Sequence, residues 1–157
     1  MTYKAYIIVL TVLLFGACSQ AEVSVPDEAE KTVQVPVTSN PAKANTVHAY
    51  TNAFNTRDVD GMLALATDNV EWISLDGRDL LMGADGAENL STTMLQYFDS
   101  CGSCRASLRW TKTTDERVVA LEEASWDADG ERKAQSALSV YEFEGEKIRR
   151  VYYFPAE

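Results

Sequence analysis

Few residues in this chain have the chemistry to form a reactive site. They are one histidine (His48), a tyrosine on an amphipathic stretch (Tyr50), two adjacent glutamates (Glu122 and Glu123) and three cysteines (Cys18, Cys101 and Cys104). A phenol donates a hydrogen bond and a carboxylate moves a proton, so Tyr50 with a strand glutamate would suit acid–base chemistry in a pocket. Glu122 and Glu123 stand in the middle of an expected strand, where neighbours face opposite sides of the sheet. One of them must turn toward the concave face. It either enters an apolar chamber as an acid or base, or sits at the rim and pairs with Arg105 or Arg109 across the strands. The second is expected, since structural ion pairs are commoner than catalytic acids. Glu71 and Glu142 pose the same question.

The other candidates suggest less chemistry. A lone histidine near a helix start is a surface or capping residue, and no second histidine completes a triad or a zinc set, so neither a metal nor a cofactor is expected. In Cys101-Gly-Ser-Cys104 an expected helix precedes the cysteines and a strand follows. Redox use of this spacing needs the reverse, so a structural disulfide at the turn is the expectation.

These residues are positioned by a recognisable series of elements. Asn40-Pro41 starts a helix, with Val47, Tyr50, Ala53 and Phe54 on its apolar face. Asp58 caps a second short helix, expected to reach Ala66. Residues 70–75 and 79–82 read as strands about an Asp76-Gly77 turn. Gly83 is expected to open a third helix, with Ala87, Leu90, Met94, Leu95 and Phe98 on one side. Beyond it Ala106, Leu108 and Trp110 alternate with polar residues at period two, and strands are expected at 105–111, 118–126, 134–143 and 147–154. The pattern is α+β: three N-terminal helices on a strongly bent antiparallel sheet, with a pocket between. Tyr50, Phe54, Trp72, Trp110 and Tyr141 are its expected lining, and an apolar pocket suits a small, mostly apolar molecule. The remaining strand aromatics suit the core or a face that pairs with a second copy.

The net charge of −10 argues against nucleic acid as a partner. The N-terminus reads as an address. After Lys4, residues 5–15 are an apolar run too short to span a bilayer. Gly16-Ala17-Cys18 resembles a bacterial lipobox, with Phe15 where leucine is usual. The resemblance implies a signal peptide over 1–17, lipid on Cys18 and a membrane anchor. Ser19 in place of aspartate favours the outer membrane, facing the periplasm. An ordinary signal peptide cleaved near Ala17 or Ala21 is the alternative. Residues 18–39, with Pro26, Pro36 and no aromatics, have linker composition, and the domain is expected over 40–157.

The segments YTNAFNTRDVDGMLAL, LLMGADGAENL and EFEGEKIRRVYYF resemble NTF2-like domains, the group that includes SnoaL-like cyclases and ketosteroid isomerases. The resemblance implies a cone with an internal pocket, often dimeric through the sheet. It places Tyr50 at the isomerases' oxyanion-hole tyrosine, the base position at Trp72 and the second acid near Ser139. Neither Trp72 nor Ser139 can serve as an acid. The acid that cyclase-like members carry near the end of the last strand has no counterpart except Glu157. The sequence therefore favours a binder over an enzyme, with Tyr50 as a core or pocket-wall residue. An enzyme using Tyr50 with Glu122 or Glu123, and a dimerising assembly module, are the alternatives.

Overall fold

The computed structural model describes residues 40–155. The expected signal segment, the linker, Cys18 and Glu157 lie outside the described residues.

Helix α1 (Pro41–Thr56) begins as expected. The Asn40 side chain accepts from the Ala42 N–H at 3.1 Å, and proline occupies the first turn, where no donor is needed. It ends where Arg57 turns left-handed (φ 60°) and sends its N–H back to Ala53 and Phe54. Helix α2 (Val59–Ala64) is capped by Asp58, which accepts from the Gly61 N–H at 2.8 Å. It stops short of Ala66 because Ile148 donates its N–H to the Leu65 carbonyl at 2.9 Å, and Ala66 already opens strand β1 (Ala66–Asp76). The strand expected at 70–75 therefore starts four residues earlier.

Strand β2 (Asp79–Asp85) returns along β1, and helix α3 (Ala87–Ser100) follows. Gly83 does not open that helix. Trp72 pairs with Ala84 and Ile73 with Met82, leaving Gly83 as the extra residue of a bulge. A Cβ there would stand 3.4 Å from the Trp72 carbonyl oxygen. On α3, Leu90, Met94 and Phe98 are buried at four-residue spacing, but Leu95, expected beside them, points outward.

Strands β3 (Arg105–Thr113), β4 (Arg117–Ala128), β5 (Glu131–Glu144) and β6 (Lys147–Pro155) complete one six-stranded sheet of order β2-β1-β6-β5-β4-β3. The sheet is not wholly antiparallel, because β1 and β6 run parallel. The chain returns beside β1 only after β2, α3 and three more strands, so no hairpin forces the two into opposite directions. Nor do all three helices come first: β1 and β2 precede α3, and only α1 and α3 are long. Register shifts at Trp72/Ile73, Leu108/Trp110 and Glu142/Phe143 are sites where the sheet bends.

The helices cover one face of the sheet. Val47, Met62, Val70, Leu90, Met94, Val118 and Ile148 are fully buried between them, each contributing about 1.5–3 kcal/mol. Asn55 ties α1 to edge strand β3, giving its Nδ2 to the Ala106 carbonyl and taking the Ala106 N–H, both at 2.8 Å. The Cys101–Cys104 disulfide is formed, with Cα atoms 5.4 Å apart, in the turn between α3 and β3. The Gly102 carbonyl inside that turn accepts from Arg57. Among the described residues no helix is long and apolar enough to cross a membrane, and none form a group of metal-ligating side chains.

Candidate functional site

Strand periodicity builds the site. On β4, Val118, Ala120 and Glu122 alternate inward; on β5, Ser139 and Tyr141 do so; on β6, Val151 and Tyr153. Helix α1 lays Tyr50, Thr51 and Phe54 over them, and α3 adds Tyr97. Between these elements lies a cavity of about 150 Å³. Its walls are Tyr50, Phe54, Trp72, Tyr97, Tyr141 and Tyr153, with small residues at Ala106 and Ala124. An engineered apolar cavity of about this volume takes up benzene, so one ring sets the scale of an occupant.

Glu122 is the single carboxylate in the lining and is only 4% exposed. Its Oε1 accepts from Tyr141 at 2.5 Å and from the Ser139 hydroxyl. Its Oε2 accepts from Tyr153 at 2.5 Å. A carboxylate offers about four acceptor positions, so three are filled by hydroxyl donors and one remains. Glu123, one residue on, faces the other way and pairs with Arg109 at 2.6 Å. The expected reading, an inward glutamate at the rim paired with arginine, does not hold: the inward Glu122 enters the chamber, and the Arg109 ion pair belongs to the outward Glu123.

The phenols show how strongly the site favours neutral hydroxyls. Burial, followed by the nearby Glu122 charge, pushes the Tyr50, Tyr141 and Tyr153 hydroxyls well above the usual phenol range. They remain protonated donors at any ordinary pH.

Of the expected lining, Tyr50, Phe54, Trp72 and Tyr141 face the cavity, and Trp110 does not. Trp110 is 45% exposed. Leu108 pairs with Glu122 on the inner face, but the bulge at Arg109 sets Trp110 opposite Leu121, whose neighbours across the sheet are Leu138 and Phe154. One inserted residue moves the indole to the outer face. Glu71 and Glu142 do not enter the cavity. Glu71 is held by Arg149 at 3.1 Å and by Arg150, while Glu142 pairs with Arg117 at 2.8 Å and Arg150 at 3.2 Å. His48 is exposed on α1.

Tyr153, Tyr97 and Ser139's hydroxyl contact with Glu122 were not singled out from the sequence. A usable signal was present: Ser139 stands between Ala137 and Tyr141 on the inner face of an otherwise apolar row. A serine in that row needs a buried partner.

The SnoaL-like domain family matches residues 47–151, and the chain belongs to it. The fold is similar to that of Bal32a from a soil-derived mobile gene cassette (TM-score 0.66, 21% identity, 74% of this chain and 91% of that one). It is also similar to a putative polyketide cyclase from Xanthomonas campestris pv. campestris (TM-score 0.57, 23% identity, 73% and 90%). A third similar structure is an LEH-like epoxide hydrolase from M. tuberculosis (TM-score 0.60, 14% identity, 74% and 84%). At these identities the likeness concerns the fold. No curated protein matches in sequence. Within this fold, ligand binding and catalysis are both represented.

Proposed function

We propose that this chain is a lipid-anchored protein of the cell envelope whose SnoaL-like domain holds a small, mostly apolar molecule without turning it over. The observation that carries the binding reading is the aromatic cavity closing on Glu122. The three hydroxyl donors on that carboxylate support a holding role over a proton-moving one, because they occupy three of its acceptor positions. The anchoring reading rests on residues 15–19 and on a disulfide suited to an oxidising compartment. Native mass spectrometry of the protein purified from its expression host tests the first part. A co-purified small molecule is expected, and loss of its retention in Trp72→Ala would place it in the cavity. Labelled palmitate entering the wild type and not Cys18→Ser tests the second part; unlabelled wild type would refute the anchor.

One observation favours an enzymatic reading: Tyr50 and Glu122 share the cavity. In that reading Glu122 moves a proton and the tyrosines hold the developing oxyanion. Deuterium exchange next to the carbonyl of cyclohexanone tests it. Acceleration by the wild type and not by Glu122→Gln supports catalysis, and exchange at the buffer rate opposes it.

The outer sheet face supports a second copy of the chain as a partner. Trp110, Leu121, Leu138 and Phe154 stand side by side there, and three of the four are at least 39% exposed. Sedimentation should show a dimer that Leu138→Lys converts to monomer; a monomeric wild type would refute this partner.

A further inference from the structure

The cavity pairs aromatic walls with a buried carboxylate and has no basic residue to balance it. Among the described residues, Glu122 takes part in no ion pair, and no lysine, arginine or histidine lines the chamber. Glu71 and Glu142, both more exposed than Glu122, are paired with three arginines. Glu122 is instead held by Ser139, Tyr141 and Tyr153, which satisfy its lone pairs but bring no formal charge. A carboxylate out of water gains from an opposite charge what hydroxyl donors alone do not supply.

The walls complement this. Trp72 and Tyr153 pack with ring centroids 6.1 Å apart and planes tilted by 53°, and Tyr50 lines the same cavity as the carboxylate. Aromatic faces are negative and attract cations, most strongly where water is excluded. A net charge of −10 draws cations toward the molecule as a whole.

We infer that the cavity selects a small organic cation: a protonated amine on an apolar body about the size of one aromatic ring. The ammonium sits at the remaining acceptor position of Glu122 Oε2, beside the aromatic walls, and the body lies toward Phe54 and Tyr97. This rests on the reading that the cavity binds a ligand, and it adds the sign of that ligand's charge.

Calorimetric titration of the full-length protein at neutral pH with benzylamine, benzyl alcohol and benzoate tests the inference. Benzylamine is expected to bind about tenfold or more tighter than benzyl alcohol, with benzoate weakest. Glu122→Gln is expected to bring benzylamine to the level of the alcohol. Alcohol binding as tightly as the amine overturns the charge selectivity while leaving a ligand-binding cavity. No heat from any of the three overturns both readings. The wild-type comparison stands without the variant, so a poorly folded Glu122→Gln protein does not remove the test. Trp72→Leu then supplies the second arm: it should weaken the amine more than the alcohol, and equal weakening would contradict the aromatic contribution.

Discussion

Ser139 on β5 donates its hydroxyl to Glu122 on β4, although Ser139's own register partner is Ala120, two residues away. The site where the isomerase resemblance calls for an acid thus holds a serine that steadies a carboxylate from the neighbouring strand. The acid has not vanished from this region of the sheet; it arrives from a different strand and is tied down on arrival.

That arrangement should be measurable in stability. Tyr153→Phe removes one hydroxyl donor to the carboxylate and should cost about 2 kcal/mol in denaturant unfolding. Tyr152→Phe, one residue away on the outer face with Arg150 3.4 Å from its hydroxyl, should cost under about 0.5 kcal/mol. Equal costs would mean that the Glu122 cluster does not hold the fold together.

Alkaline titration offers an independent check. Tyr50, Tyr141 and Tyr153 are raised in the folded state above the ordinary phenol value of 10.0. A raised group stabilises the fold fully below its unfolded value, and that stabilisation is lost as pH climbs above it. Ultraviolet titration should therefore show these phenols silent just above pH 10, then ionising together as the protein unfolds. Smooth, independent ionisation in the folded protein would contradict their burial beside a charge.

Acid should act through a different residue. Hydrogen bonding from Arg150, opposed by desolvation and reinforced by Arg149, holds the Glu71 carboxyl below its usual range. A lowered group stabilises above its unfolded value, and the benefit disappears as pH falls through the folded one. Between about pH 5 and pH 3 the wild type should lose more stability than Glu71→Gln does. Parallel losses would show that the Arg149–Glu71–Arg150 cluster adds nothing to folding.

Asn55 should report on the attachment of α1. It is paired to both backbone groups of Ala106, standing in for a further strand at the β3 edge. Asn55→Ala should cost about 1–2 kcal/mol and speed hydrogen exchange at the Ala106 amide. Unchanged exchange there would mean that the edge is protected by something else.

The fold was readable wherever a local rule governs. Asn40-Pro41 and Asp58 announce helix starts that the structure confirms, and the Cys101–Cys104 pairing follows from the elements on either side of it. What escaped depends on partners remote in sequence. The parallel join of β1 to β6 has no local signature. The bulges at Gly83 and Arg109 are single insertions that a period-two count reads through, and the second of them turns Trp110 from wall to surface. Residue-level alternation showed that one of Glu122 and Glu123 must face inward. It could not show which, because the choice depends on how β4 registers against β3 and β5.

The place of β6 has a further consequence. Strand β6 is not at an edge but between β1 and β5, and it carries two walls of the cavity, Val151 and Tyr153. Without β6 the sheet has two open strand edges, and Glu122 loses the Tyr153 donor. Docking of β6 thus joins the two halves of the sheet and adds a wall to the cavity in one step.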